Sequence, residues 1–285
     1  MVTAALGMTM HRLTHGRFSL GIGRGIKPMF DAFGLPSIKT AQMEDFAGLM
    51  RKIWRGEVVV GHDGPVGQFP LLAMGPDFNE EIPLTMTAFA KNSLSLGGRV
   101  FDAVVLHTFF NDETTEYCVR TVKKAAEEAG RDPATVRVWS CFATVGDHLP
   151  EDLRLKKTVG RLATYLQGYG DLMVKTNSWD PAPLQRFRAD PFIQGFQGAL
   201  DAKATPQELA HVAELIPPEW LESSATGTPE RCVEKIRGQF DLGCDGVILH
   251  GASPAELAPI VEAYRATRPT DGRFDHLLPN PGASR

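Results

Sequence analysis

Hydrophobic residues follow two alternating periods along the chain, and the alternation predicts its architecture. After Thr40, a candidate N-cap, residues Met43, Phe46, Leu49, Met50, Ile53 and Trp54 recur at helical spacing, and Gly56 ends the run. Residues 1–12 read as the second half of a helix, and 18–22 as a short apolar strand. A Gly-rich stretch at 58–72 reads as a hairpin excursion. From Pro83 the order is regular: strand 84–89, a helix to about residue 96, strand 103–107, helix 113–129 stopped by Gly130, strand 136–145. Further on, Thr228 caps a helix with Pro229 at its first position, 246–250 is a strand, and Ser253-Pro254-Ala255-Glu256 is a capping box opening the last helix. Strands alternating with helices predict an α/β fold with a parallel sheet of five core strands. The segment 150–221 is polar and Pro-rich, with helical patches at 153–166 and 206–215, and reads as an insertion. Residues 269–285 lack periodicity and read as a flexible tail.

Composition narrows the class. At 285 residues, 43% hydrophobic and 22% charged, the chain can bury the core of one α/β barrel or of two small domains. A formal net charge of −4 provides no basic field for a nucleic-acid backbone or an anionic membrane surface, so neither is expected as a partner. Cys118, Cys141, Cys232 and Cys244 are far apart, without a C-x-x-C pair, which predicts reduced thiols rather than a zinc site or a disulfide framework. No apolar run approaches about 18 residues, and no basic region followed by an apolar core opens the chain, so a cytoplasmic location is expected.

The stretch Leu13-Thr14-His15-Gly16-Arg17-Phe18-Ser19-Leu20-Gly21-Ile22-Gly23-Arg24-Gly25 joins a helix end to an apolar strand that runs into alternate glycines, a composition that lets backbone approach a ligand closely. It is not the dinucleotide fingerprint: Ile26 stands where a third spaced glycine is needed, and Lys27-Pro28 follows. The succession of helix, L-T-x-G-R-F, apolar strand, G-x-G-x-G and Phe33-Gly34 instead resembles the fourth strand of luciferase-like flavin or deazaflavin oxidoreductases. The resemblance continues in order through Ile53-Trp54-Arg55-Gly56-Glu57, Ala129-Gly130-Arg131-Asp132-Pro133, Gly227-Thr228-Pro229-Glu230 and Gly243-Cys244-Asp245-Gly246-Val247, and is weak between 150 and 220.

This resemblance implies a TIM (β/α)8 barrel of the luciferase-like type over 1–268, with 150–221 inserted over the barrel mouth. Since it puts the first visible strand at position four, it implies that the first three βα units, about 80 residues at the usual repeat size, lie before Met1. A barrel completed by unrecognised strands within 150–225 is the alternative. Within the family the chain resembles the coenzyme F420 branch, which implies hydride transfer between F420 and a small organic substrate. FMN-dependent monooxygenation is the same-fold alternative, and an inactive barrel fragment the alternative of another class. Open sheet edges in such a shortened barrel predict a homo-oligomer.

In a barrel the ligand lies at the C-terminal strand ends, so the candidates are positional. Gly23, Arg24 and Gly25 end the first strand, with Arg24 and Lys27 offering charge to a phosphate-bearing cofactor. Phe89, Ala90 and Lys91 open a helix whose amides present an anion site. By the resemblance this turn holds the cofactor phosphate, its usual A-x-G-P altered to Ala88-Phe89-Ala90-Lys91. His107 and His250 each end a predicted strand and are the catalytic candidates, able to donate to a ring carbonyl or carry a proton near neutral pH, although such a histidine also serves structure alone. Thr108 joins the cofactor-contacting set. Gly227 and Thr228 read first as a helix start and, by the resemblance, as a second turn near the phosphate. His11 and His15 lack the H-E-x-x-H glutamate, so no metal site is expected.

Overall fold

A computed structural model of the protein describes residues 1–25, 27–75, 77–273 and 275. Two compact units emerge, one built on Met1–Leu106 and Cys118–Trp139, the other on His107–Tyr117 and Ser140–Asp271. Their elements follow in chain order: α1 (Val2–Leu13), β1 (Leu20–Ile22), α2 (Lys27–Ala32), α3 (Thr40–Trp54), β2 (Val59–Gly64), β3 (Gly67–Leu72), β4 (Leu84–Thr87), α4 (Lys91–Val100), β5 (Ala103–Val105), α5 (Asp112–Glu128) and β6 (Arg137–Gly146). Then come α6 (Glu151–Leu155), a π-helical turn (Lys156–Gly160), α7 (Arg161–Thr176), α8 (Pro181–Ala189), α9 (Pro191–Gly195), α10 (Leu200–Lys203), α11 (Pro206–Leu215), α12 (Pro218–Leu221), β7 (Ala225–Gly227), α13 (Pro229–Asp241), β8 (Gly246–His250) and α14 (Pro254–Ala266).

In the first unit β1, β4, β5 and the start of β6 are parallel neighbours, with Leu20 opposite Leu84, Thr85 opposite Ala103 and Val105 opposite Trp139. The expected hairpin excursion is the antiparallel pair β2–β3, closed at Gly64 and Gly67. Leu20, Leu84 and Met86 meet Met43, Met50, Ile53 and Trp54 of α3 in one apolar core, the face that the 3.6-residue period marks out. At the N-terminal strand ends, Asp102 accepts hydrogen bonds from Arg51 Nη2 (2.9 Å) and from the Leu84 amide (2.8 Å). Arg131 joins it by donating to the Gly98 and Phe101 carbonyls, both at 2.7 Å. The Gly130-Arg131-Asp132-Pro133 motif therefore ties helix ends to the sheet.

In the second unit the rest of β6 pairs in parallel with β7, Thr144 opposite Ala225 and Gly146 opposite Gly227, and β8 also pairs with β6. Phe142, Ala225, Val233, Ile236, Leu257 and Ile260 form its core against α13 and α14.

Four sequence expectations change. Thr40, read as an N-cap, is the first residue of α3, and Lys39 precedes it in the cap position. Six strands join the sheet pairing among the described residues where five are predicted, because β7 is only three residues long, Ala-Thr-Gly, too short to show a period. Strands β4 and β5 stop at Thr87 and Val105, so Phe89 and His107 stand two residues beyond their ends. The 150–221 segment is helical almost throughout rather than in two patches. Its prolines, Pro181, Pro191, Pro206 and Pro218, occupy first-turn positions after Asp180, Asp190, Thr205 and Pro217, where proline starts a helix instead of breaking one. Most of the expected tail, like Ile26, lies outside the described residues.

Candidate active site

His107 lies in the second unit, where the chain leaves β5 and bends through Thr108, Phe109 and Phe110. Phe109 adopts φ +61°, a left-handed conformation costing a non-glycine residue on the order of 1–3 kcal/mol and held only where the surroundings enforce it. The enforcing group is Asn177, itself buried: its Nδ2 donates to the Phe109 carbonyl (3.1 Å), and its Oδ1 accepts from the Asn111 amide (2.9 Å). Asn111 in turn caps α5 by accepting from the Thr114 amide at 2.8 Å.

The protonation pattern of His107 follows from its partners. Nδ1 lies 2.9 Å from the Thr108 carbonyl, which can only accept, so Nδ1 carries the hydrogen. A neutral ring then offers Nε2 as an acceptor, and Tyr169, 2.9 Å away, donates to it. Burial pushes the imidazole down to about 4; the Thr108 hydrogen bond opposes this shift and neighbouring His250 adds to it. Near neutral pH His107 is therefore uncharged with both nitrogens engaged. Tyr165 meets its ring edge-on at 4.9 Å and Tyr169 at 5.5 Å, and the two tyrosines stack on each other. Burial holds both phenols above their usual range, so both remain protonated.

Tyr165 and Tyr169 are one turn apart on α7, and the helix kinks at Tyr169 between Gly168 and Gly170. Thr108, buried, donates to Cys141 Sγ at 3.6 Å, and burial raises that thiol's pKa. His250 closes β8. Burial, then the Arg161 guanidinium, lowers its pKa, and its buried Nδ1 has no hydrogen-bond partner. Arg161 is held by Asp201 at 2.8 Å. The fold thus brings together His107, Thr108 and His250 from the sequence candidates and adds Tyr165, Tyr169, Cys141 and Arg161. The Tyr165-x-x-x-Tyr169 spacing, one helical face, was the signal for the tyrosines; nothing in the sequence singled out Cys141 or Arg161.

The other candidates have local partners. Gly23 lies against Thr87, whose hydroxyl would stand 2.4 Å from an added Cβ, so β1 and β4 approach closely only with glycine there. Gly25 has φ +66°. Arg24 Nε donates to the Ile38 carbonyl (3.1 Å), and Lys27 pairs with Asp31 (2.6 Å). The amides of Phe89 and Ala90 both donate to Ser93 Oγ. Lys91, exposed, occupies the first position of α4. Thr228 caps α13 by accepting from the Arg231 amide at 3.3 Å, and the Gly227 carbonyl accepts from the Asp147 amide at 2.8 Å. Among the described residues no three His, Cys, Asp or Glu side chains are grouped to hold a metal, and no helix is long and apolar enough to cross a membrane.

The family model of luciferase-like monooxygenases matches residues 1–246. Over 257 residues, 87% of this chain and 72% of the relative, the sequence is 26% identical to the 5,10-methylenetetrahydromethanopterin reductase of Methanolobus tindarius. It is 28% identical to a phthiodiolone/phenolphthiodiolone dimycocerosates ketoreductase of Mycobacterium sp. (strain JLS), covering 82% of this chain but only 61% of that relative. The fold is similar to that of the coenzyme F420 dependent tetrahydromethanopterin reductase of Methanopyrus kandleri, with a TM-score of 0.64 at 19% identity over 86% of this chain and 72% of that one. It is also similar to the oxygenating constituent of 3,6-diketocamphane monooxygenase of Pseudomonas putida, solved with FMN, with a TM-score of 0.52 at 20% identity over 92% and 71%.

Proposed function

The chain belongs to the luciferase-like monooxygenase family, and from that premise we propose that it is an oxidoreductase moving a hydride between coenzyme F420 and a small organic substrate. The observation that carries this reading is His250 at the end of β8, a neutral imidazole with an uncommitted, buried Nδ1 in the neighbourhood of His107 and Arg161. The tetrahydromethanopterin reductases among its relatives support F420; the FMN-bound monooxygenase fold keeps FMN as the competing cofactor.

The residues present suit a planar redox ring: two stacked tyrosines offer apolar surface, and an orphaned ring nitrogen offers one polar contact. Bound F420 would supply or accept the hydride. His250 takes the proton released when the substrate is oxidised and returns it on reduction, a task suited to an imidazole that is neutral at working pH. His107, with both nitrogens engaged, fixes the Tyr169 hydroxyl, and Thr108 fixes the loop beneath it. Lys91 at the head of α4, flanked by Phe89 and Ala90, is the first unit's candidate for the cofactor phosphate, with Arg24 between Gly23 and Gly25 in support; the Gly227-Thr228 turn is the second unit's candidate. The same reading includes self-association and the helical 150–221 segment as the cover of the substrate site.

Fluorescence titration with F420 and with FMN tests the assignment. F420 is expected to bind more tightly, and Lys91→Ala to weaken it by about 1–2 kcal/mol, the scale of one charge-assisted hydrogen bond. His250→Gln is expected to lower turnover about 10²–10⁴-fold, the usual worth of a general acid or base, with cofactor affinity unchanged. Tighter FMN binding would transfer the function to FMN-dependent monooxygenation.

A further inference from the structure

A second site shares no residue with the histidine cluster, and it borders the Gly227-Thr228 turn through Gly227, one of its lining residues. At the C-terminal ends of β6 and β7, a cavity of about 270 Å³ is lined by Glu151, Arg154, Thr158, Ser224 and Thr226, among others. Parallel strand ends are where α/β folds place ligands. Arg154 is half-buried, and its buried Nε has no hydrogen-bond partner. Its guanidinium forms no ion pair among the described residues, and neither does Glu151, three positions away on α6 and lining the same cavity. A cation and an anion that share a cavity without pairing leave both charges uncompensated, which is costly for the half-buried one.

The hydroxyls define what else a ligand must bring. Thr158 Oγ1 donates its hydrogen to the Arg154 carbonyl (2.8 Å), and Ser224 Oγ donates to the Leu221 carbonyl. Both oxygens therefore retain only lone pairs and can only accept. A bare anion would satisfy Arg154 while setting two acceptors and a carboxylate against itself. A ligand that carries an ammonium next to its carboxylate satisfies all four groups, and one that carries a hydroxyl satisfies Arg154 and one of the two oxygen acceptors.

We propose that this cavity binds a small carboxylate bearing an adjacent amino or hydroxyl group. The carboxylate sits on Arg154, and the neighbouring donor faces Thr158, Ser224 and Glu151. Thr226, on the strand end, contributes a further hydroxyl to the carboxylate. An amino group would additionally pair with Glu151, whereas a hydroxyl would not.

Calorimetric titration with L-alanine, L-lactate and acetate, on the full chain, tests this. Alanine or lactate is expected to bind saturably and at least about tenfold more tightly than acetate, a difference of about 1.4 kcal/mol. Arg154→Met is expected to abolish that binding and Arg154→Lys to retain part of it. Glu151→Gln is expected to weaken alanine and to leave lactate unchanged, since only the amino group pairs with that carboxylate. Should thermal melting show Arg154→Met unfolded, Thr226→Val, at an exposed position, serves instead and is expected to weaken binding about threefold. Acetate binding as tightly as both other probes, no saturable binding of any probe, or equal binding by parent and folded variants would each overturn the proposal.

Discussion

His107 illustrates what a single residue's surroundings decide. The carbonyl of Thr108 selects the Nδ1–H tautomer, Tyr169 occupies the other nitrogen, and burial keeps the ring neutral. The consequence for stability has a definite sign. With a folded pKa of about 4 against about 6.5 unfolded, both states are neutral above pH 6.5 and the group contributes no slope. As pH falls from 6.5 towards 4 the unfolded chain binds the proton first, so stability drops by roughly 3 kcal/mol and then levels. His250, shifted the same way, adds to the fall. Urea unfolding between pH 4 and 7 should show this slope, and it should be visibly shallower in His107→Gln; equal slopes would mean that the ring titrates normally. Position in the sequence singled out both histidines, because each closely follows an apolar strand run. The Tyr169 contact and the missing charge were not legible there, since Tyr169 lies 62 residues away along the chain and burial is a property of the fold.

At the scale of elements, loops and helices are set by a few buried polar groups and close approaches. Asn177 satisfies two backbone groups of the loop that carries His107, so Asn177→Ala should cost about 1–3 kcal/mol by leaving buried groups unpaired. The same variant should also weaken F420 binding, whereas a purely global loss of stability would leave affinity per folded molecule intact. Helix α1 meets α3 through Gly7, where an added Cβ would stand 2.6 Å from the Trp54 ring. That ring is pinned by its Nε1 donating to the Ala4 carbonyl at 3.0 Å. Gly7→Ala gains about 1 kcal/mol of helix propensity but overpacks at a cost of about 1–3, so a net loss near 1 kcal/mol is expected in thermal unfolding. A stabilised variant would show that Trp54 yields. The helices of 150–221 were half legible: patches at 153–166 and 206–215 carry a helical period, but prolines in a polar stretch look alike whether they start helices or interrupt them.

On the whole-molecule scale, exposed apolar surface bears on association. Val60 and Leu71 are cross-strand partners on the β2–β3 hairpin, 74% and 60% exposed, with Val58 close by in sequence at 62%. Apolar side chains gathered on one hairpin face favour burial against another molecule. Size-exclusion chromatography with light scattering should therefore show a concentration-dependent oligomer, and Val60→Lys with Leu71→Glu should shift it to monomer. A parent protein that is monomeric at all concentrations would remove the hairpin from any such role.

By itself the sequence determined the α/β class, the family and the helix starts after Thr228 and Ser253, and it offered two histidines as candidates, because each rests on local chemistry: a hydrophobic period, a capping residue or a glycine turn within a few positions. Tertiary structure alone decided that β7 is a strand, that Gly23 serves close packing against Thr87, and that Arg24, Phe89 and Ala90 have partners within the chain. It also decided that two tyrosines and Arg161 complete the histidine cluster. Those outcomes depend on which groups distant in sequence come within hydrogen-bonding or van der Waals range, and a one-dimensional pattern carries no distance between them.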